Sequence, residues 1–579
     1  MAEFLSPGVF IREVLSGQRP MDGIGTTAFG VVGAAQRGLV NNAILVTNFG
    51  EFQDQFGDFI ASSFMAYDVF MYFLNGGTRC FVVRVTGSGA AIADVDLYNS
   101  ASSALLEYNV TAQSQGLWGN DITFVLTSEN KLVTTVAANA AEDAVSVTLS
   151  SVSGLRIGSL VRMVITGSSP ISYHTVKVTN IVSNTIYFAD ADALPAGIDE
   201  DNEAVSIEFG LAISYRGVLK ETFHGLSTES ENVIDYVETV LRTKSNYLRW
   251  DKTGVATDYL EKQPAAGTYT LASGLDGSAP STANLIGEED EGSGLYALDS
   301  VSGELLSIAV PDDQTQVMTQ AGLAYCELRK TRFYIATTAN GLTAQEAKTF
   351  VETTAAYNSS YGAVYWPHIR IFDPRSNGLL TIPPTGAVAG VFARTDSTRG
   401  VAKSPAGIID GRLLGVLDLE TPNGQGLRDL IYPARINPIK KDPGTGVVVW
   451  GARTLSANTE LRYVSNRRYL TYLAMILEKG LQWAVHENNE SSTYVSMRRN
   501  IGSLLLEQWR QGLLRGRTAQ EAFYVICDET TNPPSQIEQG ILRARVGVAL
   551  QKPAEFVVIE IQQDLRALQA ELAAAGISL

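Results

Sequence analysis

Strand-and-helix alternation interrupted by a stretch of short β-prone runs, 129–204, is the feature that most constrains this chain. Runs at 145–149, 160–165, 175–179 and 185–188 are separated by turn clusters such as Ser153-Gly154, Gly167-Ser168-Ser169-Pro170 and Ser183-Asn184. Evenly spaced short strands with little helical signal predict a small all-β sandwich or barrel. Alternation resumes after Ala204, so the β unit is expected to be nested inside a larger α/β body.

The flanking pattern is read from periodicity and caps. Strands are expected at 28–34, 43–46, 80–85 and 121–126, with Asn48 capping a helix over 49–56 and Ser62 or Ser63 capping one over 64–74. After the insertion, a long strand at 205–215 precedes a helix over 231–243 that carries Val233, Val237 and Val240 or Leu241 on one face. Strands at 333–337 and 363–366 flank a helix over 343–356 capped by Thr343. This order predicts a mainly parallel sheet with covering helices.

The last third reads differently. A long helix is expected from Asn458 or Thr459 to near Glu487, and a second from Ser491 or Ser492 to Gly516, with Ile501, Leu505, Trp509 and Leu513 on one face. Strands follow at 523–527, 542–550 and 555–562, then a weakly helical tail with Leu565, Leu568 and Leu572 on one face. At the other end, 4–15 reads as a lone strand. Such a strand must pair with a sheet in its own subunit or in another.

Charge excludes some functions. The 579 residues carry 44 Lys+Arg and 61 Asp+Glu, a net of −17. That balance argues against a nucleic-acid-binding surface over the whole chain and against attraction to an anionic membrane. The charge is uneven: 394–517 holds 18 Lys/Arg against 11 Asp/Glu, leaving 26 against 50 elsewhere. Arg498, Arg499, Arg510, Arg515 and Arg517 lie on or just after one expected helix, a face suited to an acidic partner or to solvent.

Catalytic signals are missing. No Gly-Lys dipeptide exists for a Walker A loop, and neither H-E-x-x-H nor G-x-S-x-G occurs. His174, His224, His368 and His486 are scattered, and Cys80, Cys326 and Cys527 are too far apart for a thiolate zinc site or a disulfide framework. The run Glu288-Glu289-Asp290-Glu291 lacks calcium-loop spacing and reads as a surface loop. The Gly-rich turn 271–277 has no nearby Lys to make it a phosphate cradle. No apolar run approaches a membrane span, and the N-terminus lacks a basic leader, so the chain is expected to fold in the cytoplasm without cofactor or metal.

Several motifs in order resemble one family. Ser6-Pro7-Gly8-Val9, the block Thr26–Gly33, Asn75-Gly76-Gly77, Val82-Val83-Arg84-Val85 and Trp118-Gly119-Asn120-Asp121 are similar to contractile phage tail sheath proteins. The most specific match is Pro383-Pro384-Thr385-Gly386-Ala387-Val388-Ala389-Gly390, followed by Ala393-Arg394-Thr395-Asp396, Arg399-Gly400-Val401, Trp450-Gly451-Ala452-Arg453-Thr454 and Asn466-Arg467-Arg468. The insertion 129–204 departs from the shortest members of that family.

The resemblance implies an α/β and α+β multidomain protein with nested insertions. It divides the chain into an N-terminal arm at 1–22, an inner core domain at 23–100 plus 375–545, and a non-catalytic, subtilisin-like middle domain at 101–128 plus 205–374. The insertion is then an outer β domain, and 546–579 a C-terminal strand and arm. It implies a structural subunit of the virion tail, assembled in the host cytoplasm as stacked hexameric rings around a tail tube, with baseplate and terminator proteins as further partners. Val9, Phe10 and Ile11 at one end, and Val546, Val548, Val557 and Ile559 at the other, fall where the family exchanges strands between subunits. Backbone pairing of that kind tolerates large rigid-body rotations. The five arginines of 498–517 are expected to face the tube.

Three other readings compete. One is the sheath of a tailocin or another injection system. The second is an α/β hydrolase with a carbohydrate-binding β module, which would need a matched Ser/His/Asp set. The third is a surface-binding protein whose working part is 129–204.

Overall fold

The computed structural model describes residues 24–98, 106–165, 171–254 and 258–555. Its centre is an eight-stranded sheet of β1 (Gly25–Gly33), β2 (Ile44–Val46), β3 (Arg79–Arg84), β4 (Glu304–Ala309), β5 (Arg332–Thr337), β6 (Gly362–Trp366), β7 (Ile436–Asp442) and β8 (Gly446–Val449). The order is β2-β3-β1-β4-β5-β6-β7-β8. Neighbours from β3 to β7 run parallel, while β2 and β8 are antiparallel edges.

These strands are apolar on both sides because helices cover both sides. Phe29, Val31, Phe333, Ile335 and Tyr365 point into one core, beneath α2 (Met65–Leu74) and α4 (Thr385–Arg399). Ala28, Val32, Tyr334, Ala336 and Val364 point into the other, beneath α3 (Gln316–Arg329). The sheet draws strands from both 23–100 and 205–374 as well as from beyond 375. The inner and middle bodies expected from the sequence therefore share one hydrogen-bonded layer.

Caps decide several helix starts. Asn48 accepts from the Glu51 amide and opens α1 (Phe49–Phe56) as expected. For α2, the Ser63 hydroxyl oxygen accepts from the Met65 amide, and Asp312 anchors the start from across the chain, accepting from the Ser63 hydroxyl and from the Phe64 and Ala34 amides. Thr343 forms a capping box with Glu346, but the helix runs only over Ala344–Thr349 before widening into a π turn at Phe350–Thr354.

The middle β layer has a four-stranded sheet of Val218–Leu226, Glu208–Tyr215, Ile122–Glu129 and Gly267–Thr270, in that order, and a three-stranded one of Leu248–Lys252, Leu106–Ala112 and Asp94–Tyr98. Between them lies a core containing Trp118, Phe124, Phe209, Leu211 and Trp250. The motifs 118–121 and 271–277 meet here: Asn120 and Gly274 exchange two hydrogen bonds, and Leu117 donates to Asp276. The helix expected at 231–243 begins only at Val237. Residues before it are held in a turn by the Ser227–Asp235 and Val237–Ser227 backbone bonds, which leaves Val233 exposed.

Residues 129–204 fold mainly as two small antiparallel sheets around a core that includes Val136, Leu149, Met163, Val176 and Ile186. The long strand expected at 205–215 is two strands, Glu203–Ser206 and Glu208–Tyr215, because the chain passes from one sheet to another at Ile207. The insertion leaves and returns at paired residues, Glu129 opposite Glu208 on adjacent antiparallel strands. Lys177 and Lys262 bridge to Glu229, and Lys131 to Asp235, across its base. No helix among the described residues is long and apolar enough to cross a membrane.

Candidate assembly surfaces

The C-terminal part is a helical body of α5 (Val464–Leu481) and α6 (Ser491–Arg510), joined by a hairpin of β9 (Phe523–Ile526) and β10 (Arg545–Val548). Both helices are shorter than expected. The start of the first is delayed because 453–463 is a loop that folds back on itself, closed by the Arg453–Tyr463 bridge and by the Thr454 amide donating to the Arg462 carbonyl. The second ends at Arg510, since Gln511 begins a turn closed by bonds to Glu507 and Trp509. Ile501 and Leu505 are buried against Tyr469 and Leu473, with Trp509 and Leu513 packed at the margin, which accounts for the apolar spacing.

The expected arginine face is present but divided. Arg499 and Arg510 are eleven positions apart, which returns to the same side of a helix with 3.6 residues per turn, and both are exposed. Arg498 lies a quarter-turn away, half-buried near Asp528. Arg515 and Arg517 follow the helix and are exposed. Among the described residues none of the five makes an ion pair, unlike Arg329, Arg453 and Arg468. An unpaired cation retains its full capacity for an external carboxylate.

Val546 and Val548 lie on β10, half-buried against the helical body and paired with Val525 and Phe523. The strand covers four residues, not the nine expected, since 549–551 turn to bond with Ala522 and Leu514. Among the described residues, β9 and β10 form a two-stranded sheet with each other. Val9, Phe10, Ile11, Val557 and Ile559 lie outside the described residues. The chain reaches the last described residue, Glu555, through a fixed contact. The Arg453 guanidinium forms a two-pronged ion pair with it, at 2.5 and 2.9 Å, and the Tyr432 hydroxyl donates to it. Burial pushes the Glu555 carboxyl up, but these donors outweigh burial and hold it below the ordinary range.

Two buried arginines join the layers: Arg84, seen in the sequence only as part of a motif, and Arg37, which no pattern marked. Arg84 donates to the carbonyls of Ala35, Gly38 and Gln115, tying the end of β3 to the middle β layer. Arg37 lies within 5.1–5.6 Å of the ring centres of Tyr247, Tyr215 and Trp118 and donates to the carbonyls of Gln53 and Asp54. A cleft of about 650 Å³ opens beside them, at the carboxyl ends of β1 and β3. The acidic run is partly spent within the chain, since Arg329 bridges Glu289 and Asp299. The described cysteines are free and buried.

A family profile described as the phage tail sheath protein central domain matches residues 287–455, the stretch from the acidic loop through β8. The tail sheath protein of Enterobacteria phage T4 is 27% identical over 197 residues, 33% of this chain and 28% of that protein. The tail sheath protein of Vibrio phage KVP40 is 26% identical over 268 residues, 46% of this chain and 38% of that protein. The chain thus spans less than two fifths of the length of these two relatives. Among solved structures, the sheath complex of the extracellular contractile injection system PVC, in its contracted state, covers 98% of this chain and 100% of its own. Its identity of 17% and TM-score of 0.52 mark a shared fold.

Proposed function

We propose that the chain is a member of the contractile tail sheath family and the structural subunit of a contractile sheath. Subunits polymerise as stacked hexameric rings around a tail tube. They then contract by rigid-body rearrangement and drive the tube through the host envelope. The subunit is structural rather than enzymatic. The observation that carries the reading is the match of residues 287–455 to the sheath central domain, joined to a C-terminal body whose arginine face makes no ion pair and whose hairpin strands pair with each other among the described residues.

In this reading Val546 and Val548 belong to a small sheet that neighbours complete by strand addition, with 1–22 and the segment beyond Glu555 as the exchanged arms. Val9, Phe10, Ile11, Val557 and Ile559 are the residues proposed to pair. The central layer is a subtilisin-like fold that has lost its catalytic groups, which the parallel strands and two-sided helices support. The insertion 129–204 faces outward. Arg498, Arg499, Arg510, Arg515 and Arg517 face the tube; baseplate and terminator proteins bind the ends of the stack.

Electron micrographs of the purified chain test the reading: long ridged hollow cylinders are expected, and compact monodisperse monomers would overturn it. Charge reversal at Arg510 and Arg515 is expected to impair decoration of tail tubes; normally decorated tubes from that variant would remove the tube-facing assignment. The near-complete alignment with an injection-system sheath favours a headless contractile particle as second reading. Capsids on the same micrographs distinguish the two.

A further inference from the structure

Two exposed apolar features lie on opposite sides of the central sheet and carry opposite charge around them. The first is on α3. Its inner face packs Met318, Leu323, Tyr325 and Cys326 into the core, yet its outer face is also apolar: Val317 and Leu328 are 59% and 58% exposed, with Ala324 exposed between them. Glu327 lies on this stripe, and the loop Glu288–Glu291 is tied to its end through Arg329. Arg329 is neutralised by Glu289 and Asp299 and Arg332 is buried against the Leu298 and Val301 carbonyls, so on the surface at that end Lys330 stands against a surplus of carboxylates.

The second feature is the short helix Gly407–Asp410, which leans on α4 and β8 over the other face of the sheet. Ile409 is 81% exposed and Ile408 47%. Arg399, Lys403 and Arg412 surround them, against the mostly buried side chain of Asp410.

We propose that the Ile408–Ile409 knob of one subunit seats on the Val317–Leu328 stripe of a second copy of this chain. Charge selects the occupant: the basic rim of the knob complements the acidic rim of the stripe, while either feature meeting its own copy would bring like charges together. Paired apolar cores with polar rims are the ordinary anatomy of a specific interface. Because the two features lie on opposite faces of one sheet, the contact is head-to-tail. Such a contact leaves a free knob and a free stripe at every step, so it propagates. The inference rests on the polymer reading above and names the faces that meet.

The test is cross-linking of the full chain carrying Leu328→Cys and Ile409→Cys, treated with a short bis-maleimide. The native thiols of Cys80, Cys326 and Cys527 are wholly buried and stay silent. The double variant is expected to give a ladder of dimers, trimers and higher species on denaturing gels, and each single variant to remain monomeric. Adding Ile408→Glu to the double variant, which keeps both introduced thiols, is expected to abolish the ladder. Dimers from a single variant would overturn the head-to-tail assignment, and absence of a ladder would overturn the contact. Micrographs of the same samples separate the two levels: cylinders without a ladder remove this contact and leave the sheath reading, whereas absence of both removes both.

Discussion

Asp68 lies on α2 with its carboxyl wholly buried against α4, where it accepts a hydrogen bond from the Thr385 hydroxyl at 2.5 Å beside the Gly386 amide. Burial dominates these contacts and pushes the group up to about 8. The folded chain therefore keeps a proton that the unfolded chain has lost above its ordinary carboxylate range. Stability should fall as pH rises from about 4 toward 8, by up to about 1.4 kcal/mol per unit from this group, and level off above. Asp68→Asn should flatten that slope, read as urea midpoints at pH 5 and 8. Arg468 behaves differently. It holds Asp396 at 2.6 and 2.9 Å with both side chains at 1% exposure or less, and it lies 4.8 Å from the Phe392 ring centre. Arg468→Met should cost about 3–5 kcal/mol by leaving a buried carboxyl unpaired, and adding Asp396→Asn should recover part of it, both measured by thermal unfolding. The motif residues Asp396 and Arg468 were visible in the sequence as a resemblance. Their pairing was not, because 72 positions separate them.

Helices α2 and α4 approach closely because Gly386 and Gly390 face them. A Cβ at Gly386 would stand 2.2 Å from the Asp68 carbonyl oxygen, and one at Gly390 would stand 2.6 Å from the Tyr72 carbonyl oxygen and the Asn75 Cβ. Backbone atoms cannot move aside as side chains do, so Gly390→Ala should lower stability by about 1–3 kcal/mol, read as a fall in melting temperature without loss of helix signal. Legibility at this scale follows from exposure. Helix α6, with one wet face, announced itself by period, and α1 by its Asn48 cap. Helix α3 did not, since apolar residues line both its faces and no stripe stands out. The ends of α2 fell within one residue of expectation, whereas the start of α5 was misjudged because the loop 453–463 folds back on itself there.

For the whole molecule, alternation of strand and helix predicted a parallel sheet, and one is present. That the sheet collects strands from 25 to 449 could not be read from local pattern, because pairing across the insertion carries no periodic signature. The layered joint is likewise a tertiary construction. Arg37 is held by aromatic rings from three separated segments, at Trp118, Tyr215 and Tyr247. The insertion offers a test at this scale. Replacing 131–206 with a two-residue Asn-Gly turn should give a chain that folds cooperatively, with the melting temperature of the remainder little changed, because loop exchange at a hairpin end costs little entropy. A chain that aggregates or melts in separate steps would show the insertion to be part of the body's own core.

The pairing of Glu129 with Glu208 has a practical consequence. Two strands that would close a hairpin have been spread only at their tips, so the insertion joins the body through two neighbouring ends and a few polar contacts at its base, such as Lys177 with Glu229 and Tyr259 with Asp192. The position is a splice port: a foreign domain whose termini sit a strand's spacing apart could be grafted there. In a sheath, each graft would be repeated with the symmetry of the tube.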